Sequence, residues 1–152
     1  MPRLENHDGW VDVVQVNGAM LNSISLFHSE VYLMGPLLMF RIAGRGKFEK
    51  VSELLGPAFL KPIVGRSLAV ADFENDGDQD LAISVSGTYP ELLRNDGGDA
   101  KNWLEIMLAG KRSSRDGVGT ALELVSKGYT QCGQRKGGMS YMPAHDHRVH
   151  CG

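Results

Sequence analysis

Five acidic side chains alternate along the segment Asp72-Phe73-Glu74-Asn75-Asp76-Gly77-Asp78-Gln79-Asp80, with Asp72, Glu74, Asp76, Asp78 and Asp80 at loop positions 1, 3, 5, 7 and 9. A hard cation such as Ca²⁺ takes roughly six to eight oxygen ligands, and alternation in a tight turn aims every second side chain at one centre. Gly77, at position 6, permits a sharp reversal; position 7 of such loops offers its backbone carbonyl, so Asp78 need not give its carboxylate. Carboxylates held this close repel one another unless a cation sits among them. The competing reading is a solvated acidic turn without an ion. Glu74 suits its position least, because its extra methylene crowds a place that fits Asp or Asn. Strand-like Leu81-Ala82-Ile83 follows position 9 directly, which separates this β-type loop from the longer, helix-flanked EF-hand loop.

Other residue groups could do chemistry, each with a plainer alternative. A second, degenerate loop places Asn6, Asp8 and Asp12 at positions 3, 5 and 9 but has Leu4 at position 1; losing the first carboxylate weakens or abolishes cation binding. His145, His147, His150 and Cys151 crowd the C-terminus, where His145 and His147 share a face of an extended strand and suit Zn²⁺ or Cu²⁺; the alternative is a tail without metal. Ser140 could form a triad with Asp146 and His145 or His147, yet Gly138-Met139-Ser140-Tyr141-Met142 lacks the second glycine of a nucleophile elbow. Gly44-Arg45-Gly46-Lys47 lacks the spacing of a phosphate loop and reads as a hairpin turn. Glu53, Glu91 and Glu105 show no spacing that singles out a glycosidase pair. Trp10 and Trp103 read as core more than as sugar platforms. Arg112, Arg115, Arg135 and Lys136 form either a basic surface for anionic glycans or phosphates, or a solvated face.

Short β-runs must position these groups. Val11 to Val16 follows Asp8-Gly9; Leu37 to Ile42 is an apolar strand, and the turn at Gly44-Arg45-Gly46 leads to Phe48 and Val51. Leu68 to Ala71 enters the acidic loop and Leu81 to Val85 leaves it. Leu92-Leu93 runs into the turn Asn95-Asp96-Gly97-Gly98. Trp103 to Leu108 alternates with Leu104, Ile106 and Leu108 on one face, and Ala121 to Val125 alternates again. Val51 to Leu55, ahead of Gly56-Pro57, is the one stretch that suits a helical turn. The whole reads as all-β.

The units repeat. Asp8-Gly9-Trp10-Val11-Asp12-Val13-Val14 matches Asp76-Gly77-Asp78-Gln79-Asp80-Leu81-Ala82, and Met39-Phe40-Arg41 echoes Leu92-Leu93-Arg94, with an insertion over about residues 17–35 in the first copy. Such repeats signal propeller blades or another stacked β-array. Two copies are too few to close a propeller, so the chain reads as a fragment or as one that covers its edges by association.

Composition narrows the class. The chain has 152 residues, 42% of them hydrophobic, enough for a core and against global disorder. Residues 1–100 carry 8 basic and 14 acidic side chains, a net of −6; residues 101–152 carry 8 and 4, a net of +4. The asymmetry suggests two modules, 1–98 and 99–152. The basic excess is small and dispersed, which argues against a nucleic-acid partner. Cys132 and Cys151 are too few for a disulfide framework and read either as one pair or as two free thiols. Residues 1–10 lack the apolar core of a signal peptide, and the most apolar run, Val31 to Phe40, is about half a membrane span, so the chain reads as soluble and cytoplasmic as written.

The acidic loop, the apolar strand after it and Leu93-Arg94-Asn95-Asp96-Gly97 together resemble the FG-GAP/VCBS repeat of integrin-like β-propellers, over roughly residues 4–98. The C-terminal third resembles the ASPIC/UnbV domain that follows such repeats in cartilage acidic protein and many bacterial envelope proteins. Its matching residues are Asn102-Trp103-Leu104, Gly110, Ser114 to Gly119, Gly138, Ser140-Tyr141, Asp146, Arg148, His150 and Gly152. The resemblance implies incomplete propeller-like blades plus a small β-sandwich-like module, with Ca²⁺ as a structural ligand. It implies an exported binding or adhesion protein with a protein or polysaccharide partner. Cys151 departs from the family, which usually has an aromatic there, and both ends read as clipped. Two other functions stay open: a hydrolase acting on polysaccharide or ester substrates, and a remnant that folds as a homo-oligomer through open sheet edges.

Overall fold

Apolar runs broken by Gly, Asp and Asn turns fold into short antiparallel sheets, the outcome expected when strands are joined by tight connections. The computed structural model describes residues 12–43, 46–96, 102–138 and 141–152. The first sheet comprises β1 (Val13–Gln15), β2 (Leu38–Ile42) and β3 (Phe48–Lys50), in that order. The second comprises β4 (Gly65–Ala71), β5 (Asp80–Val85) and β6 (Glu91–Leu93), again in chain order. After these, β7 (Leu104–Ile106) pairs with β10 (Val149–Cys151), while β8 (Ala121–Ser126) and β9 (Tyr129–Gln134) form a hairpin. Among the described residues helix is confined to α1 (Ile24–Phe27), α2 (Pro57–Leu60) and a 3-10 turn at Ser52–Leu54. The protein is all-β, and no helix among the described residues is long and apolar enough to cross a membrane.

The sequence repeat is also a repeat of register. Val13 pairs with Phe40 and Val14 with Met39 in the first sheet; Leu81 pairs with Leu93 and Ala82 with Leu92 in the second. These are the positions that the repeat aligns. The equivalent aspartates do equivalent work: the Ile42 N–H donates to Asp12 Oδ1 at 3.1 Å, and the Asn95 N–H donates to Asp80 Oδ1 at 2.8 Å. Both aspartates are buried. Each carboxylate thus satisfies a backbone amide at the end of the neighbouring strand, the last residue of β2 in one sheet and two residues past β6 in the other. The two sheets are offset by one strand, because β1 and β2 correspond to β5 and β6. Thus β4 precedes the shared pair in the second sheet, and β3 follows it in the first.

One apolar cluster joins both sheets. Val14 and Met39 come from the first, Leu68, Val70, Leu81 and Ile83 from the second, and Val51, Phe59 and Ile63 from the connection between them. The insertion in the first copy packs differently: α1 buries none of its residues, and Met20, Leu26, Phe27 and Tyr32 are largely exposed. The C-terminal segment closes on the second sheet. The Asp146 N–H donates to the Val70 carbonyl at 3.1 Å, and the Val70 N–H donates to His145 Nδ1 at 3.0 Å, so this part of the β4 edge is covered.

Candidate cation loop and its junction with the C-terminal segment

The loop joins β4 to β5, and the pair Ala71–Asp80 closes it. Two residues take left-handed backbone inside it, Asn75 at φ 57° and Gly77 at φ 96°. Asparagine tolerates this conformation and glycine adopts it freely, which is why the chain reverses here. The carboxylates then bind the loop's own amides. Asp72 Oδ1 and Oδ2 accept from the N–H groups of Asp76 at 3.2 Å and Gly77 at 2.9 Å; Asp80 Oδ2 accepts from Phe73 N–H at 3.0 Å, and Asp76 Oδ1 from Asp78 N–H at 3.0 Å. Asp72 and Asp80 are 3% and 2% exposed, and among the described residues their carboxylates accept hydrogen bonds only from backbone N–H groups.

The five predicted residues therefore divide. Asp72, Asp78 and Asp80 are drawn inward and buried, whereas Glu74 and Asp76 lie on the exposed side. Glu74 pairs with Arg94 at 3.1 Å, and Arg94 also pairs with Asp96. The donor chemistry, oxygen throughout, suits a hard cation. The side chains are not gathered around one point, however: no group of three or more His, Cys, Asp or Glu among the described residues is arranged to hold a metal ion. Of the degenerate loop, Asn6 and Asp8 lie outside the described residues, and Asp12 is engaged with Ile42 as above.

Sequence reasoning missed the partner of this loop. Arg148, 76 residues from Asp72, donates through Nη2 to the Asp72 carbonyl at 2.9 Å and through Nη1 to Asn75 Oδ1 at 2.8 Å. The same guanidinium binds Asp146 through Nε at 2.8 Å and pairs with Glu105. Only a planar fork of donors can serve so many acceptors at once. Trp103 packs on the other feature of the turn: a Cβ at Gly77 would overlap its indole. The indole also stacks on the buried His150, with centroids 6.1 Å apart and planes 18° apart. Both residues belong to the ASPIC/UnbV resemblance, but nothing in their spacing signals that they meet the acidic loop.

Electrostatics follow burial and this shared cation. Burial is the largest influence on Glu105 and raises its pKa against the opposing pull of Arg148. Burial also works to raise Asp146, but its hydrogen bonds and charge pairing with Arg148 prevail and hold it below its ordinary value. Arg148 is raised, chiefly by its bond to Asp146, and stays protonated.

The other candidates are dispersed. His145 binds Val70, Arg135 Nη2 and His147 Nδ1 lie 2.7 Å apart, and His150 lies under Trp103, so the histidines do not converge. Cys151 is buried and Cys132 exposed, and no disulfide joins the two. Arg135 is buried, which removes it from any basic surface; Arg112, Arg115 and Lys136 are exposed. Trp10, Ser140 and the Gly44-Arg45 turn lie outside the described residues.

His145 carries a pH prediction. Its Nδ1 accepts from Val70, so the ring proton sits on Nε2, which is buried. Burial lowers its pKa below 6.5. A depressed histidine pKa means that the unfolded chain takes up the proton first, so this stability is complete above pH 6.5 and is lost as pH falls through the folded value. Urea midpoints of the wild type should fall between about pH 7 and 5 more steeply than those of His145→Gln, whose amide oxygen accepts the same bond without titrating. Equal slopes would remove His145 as the cause.

Comparison of the chain with protein-family models, with curated proteins and with solved structures gave no match.

Proposed function

We propose that the chain is a binding module of the exported, propeller-blade type, in which the Asp72–Asp80 turn is a structural clasp that takes Ca²⁺. The observation that carries this reading is the pair of almost fully buried carboxylates, Asp72 and Asp80, which among the described residues are bonded by backbone amides alone. Buried anions are costly to keep ionised, and the Arg148 guanidinium hydrogen-bonds the Asp72 carbonyl and Asn75 instead of these carboxylates. A hard cation at the turn would lower that cost, with the exposed Asp76 and Glu74 swinging inward to complete its shell. Each copy shows three strands; if each complete unit also had the strand seen only in the other copy, it would have the four strands of a propeller blade, in keeping with the FG-GAP/VCBS resemblance. The role of such a clasp is to fix the blade and its loops for a protein or polysaccharide partner.

The test is a thermal melt with and without calcium. Binding at about 100 times the dissociation constant adds roughly 2.7 kcal/mol, which raises the Tm by about 5–10 °C for a domain of this size. EDTA should reverse the rise, and Asp76→Ala should abolish it. A melt unmoved by calcium, with Asp76→Ala neutral as well, would sink the proposal.

A further inference from the structure

Between the two sheets lies a cavity of about 300 Å³, at the lower end of the range for small-molecule sites. Its walls are apolar: Met39 and Val51 on the side of the first sheet, Leu81 and Leu93 on the second, and Phe59 from α2. Leu54 and Leu55, from the 3-10 turn and the residue after it, also line it and are 79% and 44% exposed, which places the mouth there.

Its polar groups differ in what they have left to give. Arg41 is paired with Glu49 at 3.0 Å, and Arg94 with Glu74 and Asp96. Asp12 accepts from Ile42. Each charged group of the lining is therefore already engaged, which leaves no unpaired cation there for an anionic ligand. Gln79 is different. It is 8% exposed and lines the cavity, and among the described residues its amide makes no hydrogen bond. It has the same parity as Leu81 and Ile83, and side chains two apart in an extended chain share a face, so it points where the buried Leu81 points. The Asn95 side-chain amide, also at the cavity, makes no hydrogen bond either. The Gln79 amide atoms are not sealed from solvent, so the amide offers one donor site and one acceptor site side by side to a molecule in the cavity.

The geometry points to a binding site in this cavity for an uncharged small molecule that carries an amide on a compact apolar group, the apolar group among Met39, Phe59, Leu81 and Leu93 and the amide paired with Gln79. The site is independent of calcium.

N-acetyl-L-phenylalaninamide is a suitable probe, titrated into the full isotope-labelled chain and followed by backbone amide shifts. Saturable shifts centred on Gln79, Leu81 and Asn95 are expected, with a dissociation constant on the order of 1 mM. N-acetyl-L-phenylalanine, whose carboxylate would lose hydration without finding an unpaired cation, should bind about tenfold more weakly, and Gln79→Met should weaken the neutral probe about tenfold, the loss of one hydrogen bond. Leu55→Trp, at the exposed mouth, should block binding even if Gln79→Met perturbs the fold. Absence of saturable shifts, equal affinity for the carboxylate, or binding that survives Leu55→Trp would each overturn the assignment.

Discussion

Replacing Arg148 by alanine should destabilise the protein by about 3–5 kcal/mol, lowering the Tm by roughly 2–4 °C for each kcal/mol lost. Its guanidinium is the cation shared by Glu105 and Asp146, and it also ties the Asp72 carbonyl and Asn75 to the C-terminal segment. The carboxylates of Glu105 and Asp146 are 10% and 19% exposed, so removing the cation leaves two poorly solvated charges behind. Arg148→Lys keeps the charge but not the fork, and should recover less than half of the loss. Glu105→Gln in the Arg148→Ala background should restore part of it, because burial already favours the neutral form of Glu105. Chemical denaturation of the three variants checks this; an Arg148→Ala midpoint equal to wild type would show that the junction contributes nothing.

Gly77→Ala should cost about 2–5 kcal/mol, combining left-handed strain with overpacking. The backbone at Gly77 lies at φ 96°, and the added methyl would overlap the Trp103 indole. The two contributions separate in a double-mutant cycle. Trp103→Leu removes the obstruction but not the strain, so the cycle should show a coupling of about 1–3 kcal/mol. Additive losses would mean that the loop accommodates the methyl without meeting the indole. The same variant also probes the proposed clasp, since a turn forced off this conformation cannot bring positions 3 and 5 back toward Asp72.

Features whose causes are local could be read from the chain. The acidic turn, its flanking strands and the reversal at Gly77 follow from residue types within nine positions. The match between Asp12 and Asp80 extended to their hydrogen bonds to Ile42 and Asn95, because the register of a meander is set by the pattern of its own strands. The helical turn near Val51 to Leu55 appeared as the 3-10 turn at Ser52–Leu54. By contrast, α1 and β9 gave no usable signal. All four residues of α1 stay unburied, so no apolar face marks it. β9 runs Tyr-Thr-Gln-Cys-Gly-Gln without apolar alternation and is held by its hairpin partner β8.

The site divides along the same line. Residue types and spacing within nine positions single out five acidic side chains, since a loop's ligand chemistry is written in consecutive residues. Tertiary structure alone decided that Asp72 and Asp80 turn inward onto backbone amides while Glu74 turns out to Arg94. It alone brought Arg148 and Trp103 onto the turn and left Gln79 facing a cavity. These contacts join residues as many as 76 positions apart, and no local periodicity encodes such a meeting. Burial then sets the energy of each charge, and burial belongs to the packed molecule.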